Sequence, residues 1–352
     1  MDIVNIVVNT FTDKGFLSAI ASTVLIILLG YFCRKKNIFN NQAAKILSKV
    51  VLTVALPALA FSAFMTDLNQ KHLAQGINVL IWGILMYIVL IILIKPFYAK
   101  YKGDKKTTLE ILSIFSSTTF FGIPIISAML GPIGVIYANI FNIGYRIFLY
   151  SYAYIKMGGL KMEIKNLKTM FLNPIVIATF LGLFIWLIQD LTPHITVLHS
   201  QKGNEISVSI LRIDQTLPWL YAPIMFLSKL ASPLAWLSIG ATLAEINFKD
   251  AAKNTTTWYY AGVKTVMVPL INLVIFIITT LTGILIFDMN AVTTMIVMMA
   301  TPSATVAVAY AINFDKEAVL ASNASLLSTI VAVFIIPSWL VILKIIGNLG
   351  IF

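Results

Sequence analysis

The sequence predicts an all-α integral membrane protein of ten transmembrane helices, in two inverted five-helix repeats with broken, crossing helices four and nine. Three observations carry this prediction. Of the 352 residues, 59% are hydrophobic and 11% charged, and the mean hydropathy is +0.92, well above the roughly half-apolar usage of soluble domains. The apolar residues fall into runs of about 20, the length that spans a bilayer. Prolines recur at matching places in the two halves of the chain.

The ten runs lie at about 15–33, 43–66, 73–98, 107–130, 132–156, 171–190, 221–244, 258–287, 291–313 and 318–346. The count becomes nine or eleven if a broken segment is re-entrant. The first run is preceded by "MDIVNIVVNTFTDKG", which has no basic n-region and no small-residue cleavage site, so a retained helix is expected rather than a signal peptide. A formal net charge of +11 raises the question of nucleic acid. The basic residues sit in short loops between apolar runs, and positive-inside topology accounts for them better. Fifteen lie in or beside the odd-numbered gaps, among them Arg34, Lys35, Lys36, Lys100, Lys102, Lys161 and Lys253. Only five lie in the even gaps and tails: Lys14, Lys71, Lys202, Arg212 and Lys344. The expected protein is therefore multi-pass in the cell membrane with both termini outside, its partner the lipid bilayer and not nucleic acid. The one cysteine, Cys33, excludes an intrachain disulfide and a cysteine-rich zinc site. No metal or cofactor is expected.

Two polar pieces interrupt the runs. Residues 157–170, "MGGLKMEIKNLKTM", read as a basic cytoplasmic linker between a first repeat (1–156) and a second (171–352). Residues 191–220 form an external insert, in which alternating apolar residues flank Lys-Gly-Asn and predict a small β-hairpin. An ordered but inert loop is the plain reading of that insert.

Segments two and seven contain "VALPALAF" and "LASPLAWL", and segments four and nine contain "FFGIPIIS" and "MMATPSATV". Pro57 and Pro233 stand 176 residues apart, Pro124 and Pro302 178. Each half has an odd number of spans, so the second is inverted. Interrupted helices at corresponding positions of inverted repeats point to a secondary transporter with its site where the breaks meet. Proline removes a donor and frees carbonyls, which are tolerated at membrane depth only inside protein or beside a wet cavity. Gly122 permits a sharp turn. Ser116, Ser117, Thr118 and Thr119, with Thr301, Ser303 and Thr305 in segment nine, offer replacement hydrogen bonds. Half-helices starting at Pro124 and Pro302 would present N-termini, which favour negative charge. The competing reading is a plain kink with its hydroxyls bonded back to the helix.

Intramembrane charge narrows the substrate class. Lysines near segment ends, such as Lys49, Lys95 and Lys264, can snorkel. Arg146, mid-segment five, and Lys229, four residues before Pro233, are functional candidates. Their alternative is a structural tie to free carbonyls. Asn142, one turn before Arg146, and Asn323 in segment ten either bind substrate or glue helices. No Asp or Glu occupies the middle of a segment, which disfavours cation exchange and suits an anion such as a carboxylate.

"LPALAF", "FFGIPIISAMLGPIGVIYANIFN", "NPIVIATFLGLFI", "ASPLAWLSIGATLAE" and "ATPSATVAVAYAINFDKEAVLASNASLLSTI" together resemble the auxin efflux carrier family. Its members include bacterial malate-permease-like proteins and the plant PIN auxin exporters. The matches run from segment two to segment ten. The resemblance implies ten helices in two inverted repeats, with segments four and nine crossing at their prolines. It also implies a scaffold of segments one, two, six and seven, a mobile part made of the rest, and a homodimer. The family pattern often has Asn where this chain has Ser117, which makes auxin itself a poor guess. The short linker lacks the long cytoplasmic loop of many plant members.

The expected function is secondary transport, not enzymatic catalysis, of a small organic anion such as malate by alternating access. The rival is a non-transporting membrane sensor or lipid-binding protein on the same fold. A cation/proton antiporter is a third reading, weakened by the missing midmembrane carboxylates.

Overall fold

The computed structural model describes residues 14–40, 42–67, 70–158, 172–198, 205–245 and 253–349. The linker beyond Gly158 and the Lys-Gly-Asn turn of the insert lie outside the described residues. The chain is helical almost throughout. After α1 (Lys14–Lys35) come α2 (Ala43–Ala63), α3 (His72–Tyr98), the short α4 (Gly103–Ile114), α5 (Thr118–Gly158) and α6 (Pro174–Leu191). The insert precedes α7 (Pro218–Ala244) and α8 (Thr255–Leu281), which are followed by the short α9 (Met289–Ala300) and α10 (Thr305–Asn313) and by α11 (Ala318–Asn348). Among the described residues, seven of these helices (α2, α3, α5, α6, α7, α8 and α11) are long and apolar enough to cross a membrane.

Local chemistry sets several starts. Asn173, before Pro174, accepts the Ile175 N–H at 2.9 Å. Asn254 accepts from Thr256 at 2.9 Å, and Asp288 from Ala291 at 2.8 Å. Each side chain satisfies a donor that the first helical turn leaves free. At 41 residues, α5 is too long for one straight span. At 1.5 Å per residue it would run roughly 60 Å, about twice the hydrocarbon thickness. It bends at Gly131, whose backbone (φ 60°, ψ −147°) is non-helical, and Pro132 opens the next stretch.

Helices pair α1 with α7, and α2 with α6 and α7; apart from these, α3 packs on α5, α8 on α9 and α11, and α9 on α5. The α1–α7 pair is the closest. A Cβ on Gly240 would lie 1.9 Å from the Ile27 carbonyl oxygen, and one on Gly30 2.3 Å from that of Leu237. Small residues let membrane helices approach to backbone contact, where dispersion replaces the missing hydrophobic drive.

The insert is a β-hairpin, as its alternation predicts: β1 (His194–Leu198) pairs antiparallel with β2 (Glu205–Ser209), His194 opposite Ser209 and Leu198 opposite Glu205. Arg212 anchors it. Its Nε and Nη2 donate to the two Asp214 carboxylate oxygens at 2.8 Å each, and its Nη1 reaches Asp67. Burial disfavours the Arg212 charge, but the hydrogen bonds and charges of Asp214 and Asp67 outweigh it and raise its pKa above the usual guanidinium value.

Candidate functional site

Helices α4 and α9 both stop short. Twelve residues each, they reach roughly 18 Å. Each is followed by a few extended residues and then by a new helix. The two extended stretches meet as an antiparallel bridge, Ser116 opposite Ser303. The Ser117 N–H donates to the Pro302 carbonyl at 2.7 Å, and the Ala304 N–H to the Phe115 carbonyl at 2.8 Å. Backbone groups that no lipid could satisfy are thus paired with each other.

The prolines are not the equivalent points of this crossing. Pro302 lies in the second break and immediately precedes the bridge residue Ser303, where it biases Thr301 to its extended backbone (ψ 157°). Pro124 lies eight residues beyond Ser116, already inside α5. The first new half-helix begins at Thr118, as a π-turn over Thr118–Gly122. The first break needs no proline, because Phe115 is extended (φ −97°, ψ 111°) and Ser117 is non-helical (φ −75°, ψ 54°). Gly122 makes no sharp turn either: its φ and ψ are −71° and −53°, helical values. Its missing side chain instead admits Met298 of α9, whose Sδ would lie 3.2 Å from a Cβ there.

The carbonyls freed at the two C-terminal ends are satisfied from several helices. In α4, Leu112 O accepts from the Tyr260 hydroxyl at 3.1 Å and Ser113 O from the Lys264 ammonium at 2.8 Å. In α9, Met298 O accepts from Thr301 Oγ1 at 2.8 Å and Met299 O from Ser116 Oγ at 3.2 Å. Ser116 Oγ in turn receives a hydrogen bond from Lys264. Lys264, which its sequence position leaves free to snorkel, is therefore fully buried at the crossing. It sits on a π-turn of α8, Val263–Met267, an irregularity frequent at functional positions.

The two N-terminal ends face the other way, onto a cavity of about 150 Å³. Ser117, Thr119 and Phe120 line it from the start of α5, and Ala304, Thr305 and Val306 from the start of α10. Neither first turn has a side-chain cap, so its N–H dipoles are free to act on a ligand. Arg146 lines the same cavity with Tyr145, Tyr150 and Asn173. It is 7% exposed and has no hydrogen-bond or ion-pair partner among the described residues. Among the described residues no backbone carbonyl accepts from it.

Of the residues singled out from sequence, the cavity gathers Ser117, Thr119, Arg146 and Thr305. Thr301 is buried and bonded back to Met298, and Pro302 gives its carbonyl to Ser117. Thr118 Oγ1, Ser303 Oγ and the Asn142 amide are buried and find no hydrogen-bond partner among the described residues. Pro124 gives its carbonyl to Ser232 Oγ at 2.9 Å. Asn323 is half-buried on α11, away from the cavity lining. Lys229 is exposed and lines a second cavity of about 600 Å³ with Asp214, Tyr221, Ser127 and Gly131. It lies on α7, away from the Arg146 cavity lining. Glu110, peripheral by position, proves buried at 5% exposure, with Lys106 3.9 Å away. Asn173 and the two tyrosines escape sequence reasoning because nothing local distinguishes them from ordinary helix residues.

The membrane transport protein family matches the chain over residues 16–170 and 158–340. A stretch of 228 residues is 24% identical to an uncharacterized transporter of Methanocaldococcus jannaschii, covering 63% of this chain and 67% of that protein. The broken helices, the paired breaks and the family match converge: the chain belongs to the membrane transport protein family, which is auxin efflux carrier-like, and is a transporter rather than an enzyme.

Proposed function

We propose that the chain is a secondary transporter of a small organic anion, a dicarboxylate such as malate, bound in the cavity beside the crossing. The observation that carries this reading is the convergence of two uncapped half-helix N-termini and Arg146 on one cavity. Each N-terminus acts as roughly half a positive charge. With the guanidinium the cavity wall carries about +2, which matches a dianion and would repel a cation. Five donors in a rigid fork suit Arg146 to a carboxylate, and Ser117 and Thr305 add hydroxyls.

Ten spans in two inverted repeats fit the helix pairing. Equating the first five with the second five makes α1–α7 and α6–α2 the same contact twice, and α3–α5 and α8–α11 likewise. The crossing of segments four and nine is its own counterpart. Four helices, α1, α2, α6 and α7, form the scaffold in this reading, and the rest move. Positive-inside orientation puts the Arg146 cavity on the cytoplasmic side and the 600 Å³ cavity outside. Leu52 lines the first and Leu59 the second, about 10 Å apart along α2. A rocking motion of that order would expose the site alternately.

Uptake of labelled malate or succinate by purified protein in liposomes tests the proposal, with acetate and an amine as controls. Saturable dicarboxylate flux supports it. Binding without flux transfers the fold to a sensor role. Absence of binding across a carboxylate panel removes the anion reading.

A further inference from the structure

Helix dipoles put opposite charges on the two faces of the crossing. The N-termini of α5 and α10 face the Arg146 cavity. The C-termini of α4 and α9 meet behind it, and two such ends sum to about one negative charge. In carriers built on broken helices, half-helix C-terminal ends and unwound carbonyls are where a coupling sodium ion is coordinated. Here that place is filled from within. Lys264 is 0% exposed. Its ammonium donates to the Ser113 carbonyl at the end of α4 and to Ser116 Oγ, which itself bonds the Met299 carbonyl at the end of α9.

We infer that the Lys264 ammonium is a built-in counter-cation for the paired half-helix C-termini, occupying a cradle that would otherwise take a small monovalent cation, so that this carrier operates without sodium. The inference rests on the broken-helix transporter reading but not on the identity of the anion. An ammonium supplies the one positive charge that two C-terminal dipoles call for, and it delivers it through groups that also serve as sodium ligands, a carbonyl and a hydroxyl. Its tether to α8 keeps the charge in place through the transport cycle, whereas a free ion must bind and leave. Among the described residues no carboxylate pairs with Lys264: its two hydrogen-bond partners are Ser113 O and Ser116 Oγ. The charge therefore acts on the dipoles alone.

The test uses the purified full chain and Lys264→Ala, melted in NaCl, LiCl and choline chloride at equal ionic strength, together with ²²Na⁺ binding. The wild type should melt at the same temperature in all three salts and bind no ²²Na⁺ saturably. Lys264→Ala should lose about 5 °C in choline chloride, and NaCl or LiCl should restore much of that loss with saturable dependence on the ion, since a ligand of the folded state alone stabilises it. Saturable ²²Na⁺ binding by the wild type would overturn the inference whether or not the variant folds. A folded Lys264→Ala protein whose melting ignores the choice of cation would overturn it as well. Neither readout involves the anion, so loss of dicarboxylate binding by Arg146 variants and the salt response of Lys264→Ala succeed or fail separately.

Discussion

Replacing Arg146 separates a substrate ligand from a structural residue, because the two roles predict opposite effects on stability. Its side chain is 7% exposed and lines a cavity with two uncapped helix N-termini, with no anionic or carbonyl partner among the described residues. An unpaired buried cation is costly to the empty protein, and the positive ends of the two dipoles add to that cost. Arg146→Met should therefore leave the ligand-free melting temperature unchanged or raise it. The same change removes half of the roughly +2 charge of the cavity. One carboxylate about 4 Å from the guanidinium, at an effective dielectric near 20, is worth about 4 kcal/mol. At 1.4 kcal/mol per tenfold, malate affinity should fall on the order of a thousandfold. Arg146→Lys keeps the charge but not the fork, and should recover most of the loss. Titration calorimetry or competition against labelled malate measures the affinities, and tryptophan fluorescence melts the protein. A folded Arg146→Met variant that binds malate within threefold of wild type would refute the assignment. A drop in ligand-free melting temperature of several degrees would restore a structural role.

Other consequences are open to direct measurement. Gly240→Ala places a methyl 1.9 Å from the Ile27 carbonyl; separating α1 from α7 should cost about 3 kcal/mol or more, read as a lower melting temperature and aggregation on gel filtration. Ser117→Asn narrows a cavity of about 150 Å³ and should weaken malate roughly tenfold without altering stability; unchanged affinity would move the substrate away from the first turn of α5. Arg212→Ala leaves Asp214 buried without its bidentate partner, a loss of about 3–5 kcal/mol, and should open the hairpin to limited proteolysis at 192–212. Because pairing raises the Arg212 pKa, its share of stability is complete below the unfolded guanidinium value and is lost only above the folded one. Proteolysis of the wild-type hairpin should accordingly be flat between about pH 7 and 10.

Bulk composition and hydrophobic period were enough to fix several features. Runs of about 20 apolar residues and the scarcity of charge dictated membrane-crossing helices, because a bilayer accepts few alternatives. Alternation around Lys-Gly-Asn dictated the hairpin. Gly131-Pro132 ended one run and began another where α5 bends. Arg146 stood out because a cation in mid-run is expensive and needs a reason. Where the breaks fall and which groups share a site depend on long-range packing. Proline spacing pointed to Pro124 and Pro302 as partners, yet the bridge joins Ser116 to Ser303, since any extended residue can break a helix once another strand offers it hydrogen bonds. Lys264 stands in its run with the look of a lysine near an interface. Its burial follows from α8 packing against the ends of α4 and α9, contacts 148 to 151 residues away in sequence. The sign of charge on each face of the crossing is likewise a tertiary property, because it depends on which ends of four half-helices meet.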